Sequence, residues 1–287
     1  MRLHTLIRWL TAGAVALWSA GAMAQQLVHF PSLDDGATML NGYLYRPAGE
    51  GRHPALVFLH GCGGLFGATT INRRETDWAA RFTAAGYVVL MVDSLNPRQH
   101  GETCSVRGFD LALYRKRPKD AYGALAYLQA QDFVRPDRVG VIGWSQGGGV
   151  ILYSIGSPSI GRPVGLAPAS DFKVAVAFYP GSCSDMRQPA GWTTAIPLLV
   201  LIGAEDVWTP LAPCQAFLDA AAARGAQVQV YAYPGAFHDF DWPGLPRRER
   251  PEFTTSAGVV PITAEDPAAH ADALQRVSAF LAQYLGR

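Results

Sequence analysis

An α/β fold, built on a mainly parallel sheet with helices on both faces, is what this chain predicts, and three observations predict it. Ala55 to Leu59, Tyr87 to Val92, Val174 to Tyr179 and Leu198 to Ile202 are short, continuously apolar runs, the mark of strands buried on both faces. Stretches with apolar residues at helical spacing lie between such runs. Strand and helix alternate along the chain, and right-handed crossovers turn that order into a parallel sheet. In such sheets a site forms beyond the carboxyl ends of the strands, so the residues just after each run deserve the closest reading.

The elements follow in order. Leu27 to Pro31 and Leu40 to Tyr45 read as a hairpin around the turn Asp34-Asp35-Gly36. After the run Ala55 to Leu59, Trp78 and Phe82 stand one helical turn apart, with Gly86 ending their helix. Ser94 to Arg117 is polar and turn-rich and reads as a functional loop. Pro118 then opens a helix with Ala121, Leu125 and Leu128 on one face. Arg138 to Ile142 is a strand, and Val150 to Tyr153 continues as a buried helix. Gly156 to Asp171 is a surface connection rich in Gly, Pro and Ser. Thr209-Pro210 caps a helix whose inner face is Cys214, Phe217, Leu218 and Ala221. Val228 to Tyr233 is the last strand, and Asp266-Pro267 opens the last helix.

Residues 1–24 read as a secretory signal peptide. Arg2, His4 and Arg8 make a basic start, Leu10 to Ala20 is a short apolar region, and Ala22-Met23-Ala24 is a small-x-small cleavage site. A membrane anchor is the competing reading, and the short run with a cleavage site behind it argues against one. Residues 25–287 then form one domain, exported to the periplasm or secreted. With 24 basic and 23 acidic residues the net charge is +1, which points to neither nucleic acid nor an anionic membrane as partner. Four cysteines in an exported chain suggest two disulfides. No Cys-x-x-Cys spacing favours zinc instead. Of the possible pairings, Cys62–Cys104 and Cys183–Cys214 are preferred, because each joins loops that follow neighbouring strands.

Three strand ends carry chemistry. Gly143-Trp144-Ser145-Gln146-Gly147 sits between a strand and a helix, the context of a nucleophile elbow that lifts Ser145 above a helix N-terminus. Gly203-Ala204-Glu205-Asp206 follows another strand, and Asp206 is placed to orient an imidazole, with Glu205 as its near rival. His238, in Tyr233-Pro234-Gly235-Ala236-Phe237-His238-Asp239-Phe240, is that imidazole. Asp239 and Asp241 follow it too closely to orient it and read as structural. His60-Gly61-Cys62-Gly63-Gly64 is a Gly-rich loop after the first buried strand. The N–H groups of Cys62 and Gln146 are the candidate oxyanion donors, and His60 is read as a loop-fixing residue. The order Ser, acid, His along the chain is a further match.

On these four segments the chain resembles the dienelactone hydrolase family of the α/β-hydrolase superfamily, from about Leu40 to the last helix. The resemblance implies a carboxylic ester or lactone hydrolase with Ser145, Asp206 and His238 as its triad, needing no cofactor or metal and acting on a small-molecule substrate. The sequence departs from the founding members in two places. Ser145 stands for their nucleophilic cysteine, and Gly61 for the glutamate that assists it, which leaves an ordinary serine relay. Arg98 stands near the family's carboxylate-binding arginine, with a solvated surface arginine as the alternative. Trp144, Trp208 and Phe237 flank the candidate triad and are candidate pocket walls. Arg247, Arg248 and Arg250 form a basic cluster, either solvated or facing an acidic substrate. A peptidase or an acyltransferase on the same triad, or a non-catalytic binding protein on this scaffold, are the other readings.

Overall fold

Uninterrupted apolar strands are stable only where helices cover both faces of the sheet they form. The computed structural model, which describes residues 25–286, has that arrangement. The expected signal peptide lies outside the described residues. The strands are β1 (Gln26–Pro31), β2 (Met39–Tyr45), β3 (His53–Leu59), β4 (Val88–Asp93), β5 (Val134–Trp144), β6 (Val174–Phe178), β7 (Leu198–Gly203) and β8 (Val228–Tyr233). They form one sheet in the order β1-β2-β4-β3-β5-β6-β7-β8. β1–β2 and β2–β4 pair antiparallel, and every later pair is parallel. Every residue of β4, β6 and β7 is buried, which accounts for their lack of alternation.

The helices are α1 (Arg73–Ala84), α2 (Leu111–Gln129), α3 (Gln146–Ile155), α4 (Leu211–Ala223) and α5 (Pro267–Leu285). α1 and α5 meet where the Trp78 ring lies 5.9 Å from that of His270. α2 and α3 meet where Tyr114 sets its edge against Tyr153. α1 ends at Gly86, whose φ of +92° is open to glycine without strain. Asp266 caps α5 by accepting from the N–H groups of Ala268 and Ala269, both at 3.0 Å.

Two helix starts differ from expectation. α2 begins at Leu111, where Asp110 accepts from the Leu113 N–H at 3.0 Å, and Pro118 falls inside the helix. The cap and the burial of Leu113 and Tyr114 outweigh the lost hydrogen bond at the proline. The loop before it is correspondingly shorter. Thr209 does not cap α4, because its hydroxyl donates to Asp206 instead. Two short strands also follow β8. β9 (Arg248–Glu249) pairs with β10 (Ile262–Thr263), and Thr263 bridges to His238.

The disulfides are Cys62–Cys104 and Cys183–Cys214, the preferred pairing. Among the described residues no helix is long and apolar enough to cross a membrane. The Cys183–Cys214 bridge closes a span of 31 residues. Replacing both cysteines with alanine is expected to lower stability by about 2–4 kcal/mol through the freer unfolded chain. Urea unfolding of the oxidised wild type and the double variant measures the difference.

Candidate active site

The turn from β5 into α3 sets the geometry. Ser145 has φ 52° and ψ −115°, a backbone conformation that costs a non-glycine residue on the order of 1–3 kcal/mol. Neighbouring strands hold it there. The Ser145 N–H donates to the carbonyl of Phe178 at 2.9 Å, and its own carbonyl accepts from Gly149 at 3.0 Å and Gly181 at 2.8 Å. The flanking glycines are steric necessities. A Cβ on Gly147 would lie 2.1 Å from the Leu59 carbonyl oxygen, and one on Gly143 would lie 2.5 Å from that of Gly147. Ser145 itself lines a cleft of about 650 Å³. The first N–H groups of α3, beginning with that of Gln146, have no acceptor within the helix and carry its positive end.

Asp206 and His238, on the loops after β7 and β8, form a buried pair. The Nδ1 of His238 lies 2.7 Å from Asp206 Oδ2. The same carboxylate accepts from the N–H groups of Trp208 and Thr209 and from the Thr209 hydroxyl, so its own loop fills its bonds other than that to His238. Burial pulls the His238 pKa down, but the charge of Asp206 and its hydrogen bond outweigh burial and leave it raised above 6.5. Glu205 is exposed and plays no part in this pair. Trp208 and Tyr179 pack against the imidazole, with ring centroids 4.9 Å and 4.4 Å away.

The His60–Gly64 loop meets the elbow directly: a Cβ built on Gly61 would lie 3.6 Å from that of Ser145. His60 is buried, and its Nε2 accepts from the Ser94 N–H at 3.3 Å. Its Nδ1 therefore carries the proton and donates to the Gly61 carbonyl at 2.6 Å. Burial, then the charge of Arg117, keep the ring's pKa well below the ordinary imidazole value. Cys62 is fixed on its other side. Its carbonyl accepts from the Thr103 N–H at 2.8 Å, and its sulfur is bound to Cys104.

Asp239 and Asp241 serve the loop that carries His238. Asp239 accepts from Arg74 at 2.7 Å. Asp241 accepts from both Trp78 and Trp144 indole N–H groups, at 2.8 and 2.7 Å, and from the Tyr179 hydroxyl at 2.5 Å. Trp144 is therefore not a wall of the cleft. It is fully buried on the α1 side of β5, stacked on Phe178. Arg98 is not free either. Asp34 and Asp120 both accept from its guanidinium, at 2.9 and 2.7 Å. Phe237 sits under Arg247, away from the cleft lining.

Trp208 does line the cleft, together with Phe109 and Tyr114 from the stretch read as a functional loop and with Arg187 and Phe253, which carried no sequence signal. Phe253 stacks on Trp208 at 5.5 Å, and Arg250 of the basic cluster lies over Phe253. Phe253 belongs to the segment between β9 and β10, whose lack of periodicity hides it.

An elbow at the end of a central parallel strand, with acid and imidazole on the next strand ends, defines the class: an α/β-hydrolase fold. Among solved structures, a dienelactone hydrolase-like promiscuous phosphotriesterase from metagenomic libraries superposes with a TM-score of 0.66 at 22% identity, covering 92% of this chain and 99% of that one. The chain belongs to the dienelactone hydrolase family, whose sequence model matches residues 40–285. A curated relative, the "Probable 2-oxo-3-(5-oxofuran-2-ylidene)propanoate lactonase" of Bradyrhizobium sp, is 28% identical over 202 residues, 69% of this chain and 77% of the relative.

Removing Arg98 strands two carboxylates that are almost wholly buried. Arg98→Ala is expected to cost about 3–5 kcal/mol of stability. KM for small esters should stay within about twofold, since no substrate contact is lost. Denaturant unfolding and steady-state kinetics on the same preparation check both halves.

Proposed function

We propose that this protein is an exported serine hydrolase that cleaves carboxylic ester or lactone bonds through Ser145, His238 and Asp206. The observation that carries the reading is the buried Asp206–His238 pair at 2.7 Å, formed on the strand ends that follow the strained Ser145 elbow. Membership of the dienelactone hydrolase family supports the reaction class, and the relative named as a lactonase supports lactones within it.

The chemistry runs in two steps. Ser145 Oγ attacks the carbonyl carbon while Nε2 of His238 takes its proton. The N–H groups of Cys62 and Gln146 receive the oxyanion. Asp206 holds Nδ1–H and stabilises the imidazolium, which then protonates the leaving alkoxide. In a lactone that alkoxide stays tethered to the acyl group. Water, deprotonated by His238, attacks the acyl-enzyme and releases the acid and free Ser145. Trp208 and Phe253 form an apolar wall for the substrate. Both disulfides contribute residues to this cleft, through Cys62, Cys104 and Cys183, which suits a site assembled in an oxidising compartment. Cleavage after Ala24 would leave Gln25 as the first residue, and the intact mass of protein recovered from outside the cytoplasm reads that directly.

Ser145→Ala is expected to lower the hydrolysis of short p-nitrophenyl esters by at least about 10⁴-fold. Rates equal to wild type would leave only a binding protein on this scaffold, and product released only with an added alcohol would mean acyl transfer. His238 acts as base only when neutral, and its pKa is raised. The acid limb of kcat/KM should therefore lie above pH 6.5. Asp206→Asn should move that limb downward and cut kcat by about 10³–10⁴-fold. The same shift has a stability counterpart. The Asp206–His238 contribution is full below the unfolded imidazole pKa and fades as pH rises through the folded one.

A further inference from the structure

Arg117 is a buried cation, 1% exposed, that the reaction scheme above does not use. No carboxylate lies within ion-pair distance of it among the described residues. Asp120, the nearest by sequence, is taken by Arg98 and by the Ser32 hydroxyl. The guanidinium ends instead on two neutral oxygens, with His60 Nδ1 3.4 Å from its Nη2. Its Nη1 donates to the Gln146 side-chain carbonyl at 2.7 Å. Its Nη2 donates to the His60 backbone carbonyl at 2.5 Å. These are the two chain segments that carry the candidate oxyanion donors: Gln146 supplies one N–H, and the loop from His60 supplies that of Cys62. Thr103 closes the ring, since its hydroxyl lies 3.1 Å from both the Cys62 carbonyl and the Gln146 side-chain oxygen.

Burying a cation with no carboxylate in contact, and only the more distant charges of Asp120 and Asp93 to offset it, is costly, and a fold that needed only a pin here could use a neutral donor. The cost has a return where negative charge appears nearby. In a dry setting a fixed cation gains most when the carbonyl oxygen becomes an oxyanion, so it favours the transition state over the ground state. The neighbourhood is consistent with this, since His60 beside it is held neutral.

We propose that Arg117 is a positioning residue of the oxyanion hole, clamping the Gln146 and His60–Cys62 segments in register and adding its field to the developing oxyanion. This rests on the serine-hydrolase reading of Ser145.

The test compares Arg117→Met, Arg117→Lys, Gln146→Ala and Ser145→Ala in the full exported chain. kcat and KM are measured on p-nitrophenyl esters, with the affinity for an aryl trifluoromethyl ketone, which forms a tetrahedral adduct with the serine. Removing a single direct donor costs about 10²–10³-fold in such sites, so Arg117→Met should lose about 10²-fold in kcat with KM within about twofold. Trifluoromethyl ketone affinity should fall by a similar factor, and Arg117→Lys should recover part of both by restoring charge. Gln146→Ala keeps the backbone N–H but frees one end of the clamp, and should lose about tenfold in kcat. Folded Arg117→Met with wild-type kcat, or with kcat lost but ketone affinity kept, overturns the proposal. If that variant does not fold, wild-type kcat in both Arg117→Lys and Gln146→Ala overturns it, and losses in both uphold it. An inactive Ser145→Ala beside unimpaired Arg117 and Gln146 variants removes this proposal alone. An active Ser145→Ala removes the serine reading and this proposal with it.

Discussion

The close crossing of the Ser145 turn over the end of β3 is the constraint on which the site depends. The Leu59 carbonyl sits where a side chain at 147 would be, so the elbow and the loop that follows β3 are pressed together with nothing between them. That contact brings the backbone of Gly61 against Ser145 and sets the place of Cys62 relative to Gln146. The strain at Ser145 is the local cost, and three backbone hydrogen bonds, to β6, α3 and the loop after β6, offset it. Because these partners are main chain, the arrangement follows from strand order more than from any one side chain.

Two buried arginines lie near this crossing, and their settings differ. Arg74 is surrounded by acids: Glu75 and Asp239 both accept from it at 2.7 Å, and Tyr179 links it to Asp241. Its charge is cancelled where it lies, and its work is to hold the segment after His238. Arg117 has no carboxylate in contact: it donates to two carbonyls, its Nη2 lies 3.4 Å from His60 Nδ1, and Asp120 and Asp93 act on its charge only from beyond ion-pair distance. The electrostatic surroundings are therefore lopsided, with acids in contact with Arg74 around the His238 loop and a cation without a contacting acid behind the proposed oxyanion side. That polarity matches the charge movement of acyl transfer, in which an imidazolium forms on one side while an oxyanion forms on the other.

Much of this architecture was legible in the sequence, and the limits are physical. Strands buried on both faces leave unbroken apolar runs, so β3, β4, β6 and β7 and the loops that follow them were readable. The disulfide pairing followed from which strands are neighbours. The start of α2 was hidden because its first turns hold Arg115, Lys116, Arg117 and Pro118, of which the fold buries Arg117 and Pro118. Neither reading of Arg98, substrate contact or solvated surface arginine, anticipated its ion pairs, because its partners, Asp34 and Asp120, are distant in sequence and nothing local marks them. Trp144 adjoins Ser145 in sequence, yet the end of a strand sends successive side chains to opposite faces, and the indole goes to the α1 side. Adjacency along the chain is a poor guide to adjacency in the cleft.

The two departures from the founding members of the family can now be weighed against the packing. A Cβ at position 61 would meet Ser145 Cβ and the Trp144 carbonyl at 3.6 Å and an Arg74 nitrogen at 4.0 Å, all ordinary contacts. Glycine at 61 is thus not forced by space, as it is at 147. A carboxylate placed there would find Arg74, but Glu75 and Asp239 already occupy that guanidinium. It would also sit beside the hydroxyl that, in the proposed mechanism, the Asp206–His238 pair serves. A third acid would then bring negative charge toward the very oxygen the N–H groups must stabilise, for no proton it is needed to take. Gly61 and Ser145 are in this sense one change: in the proposed mechanism the imidazole bears the proton, so the side proposed for the oxyanion is best left without an acid at 61, and Arg117 is the buried cation that lies there.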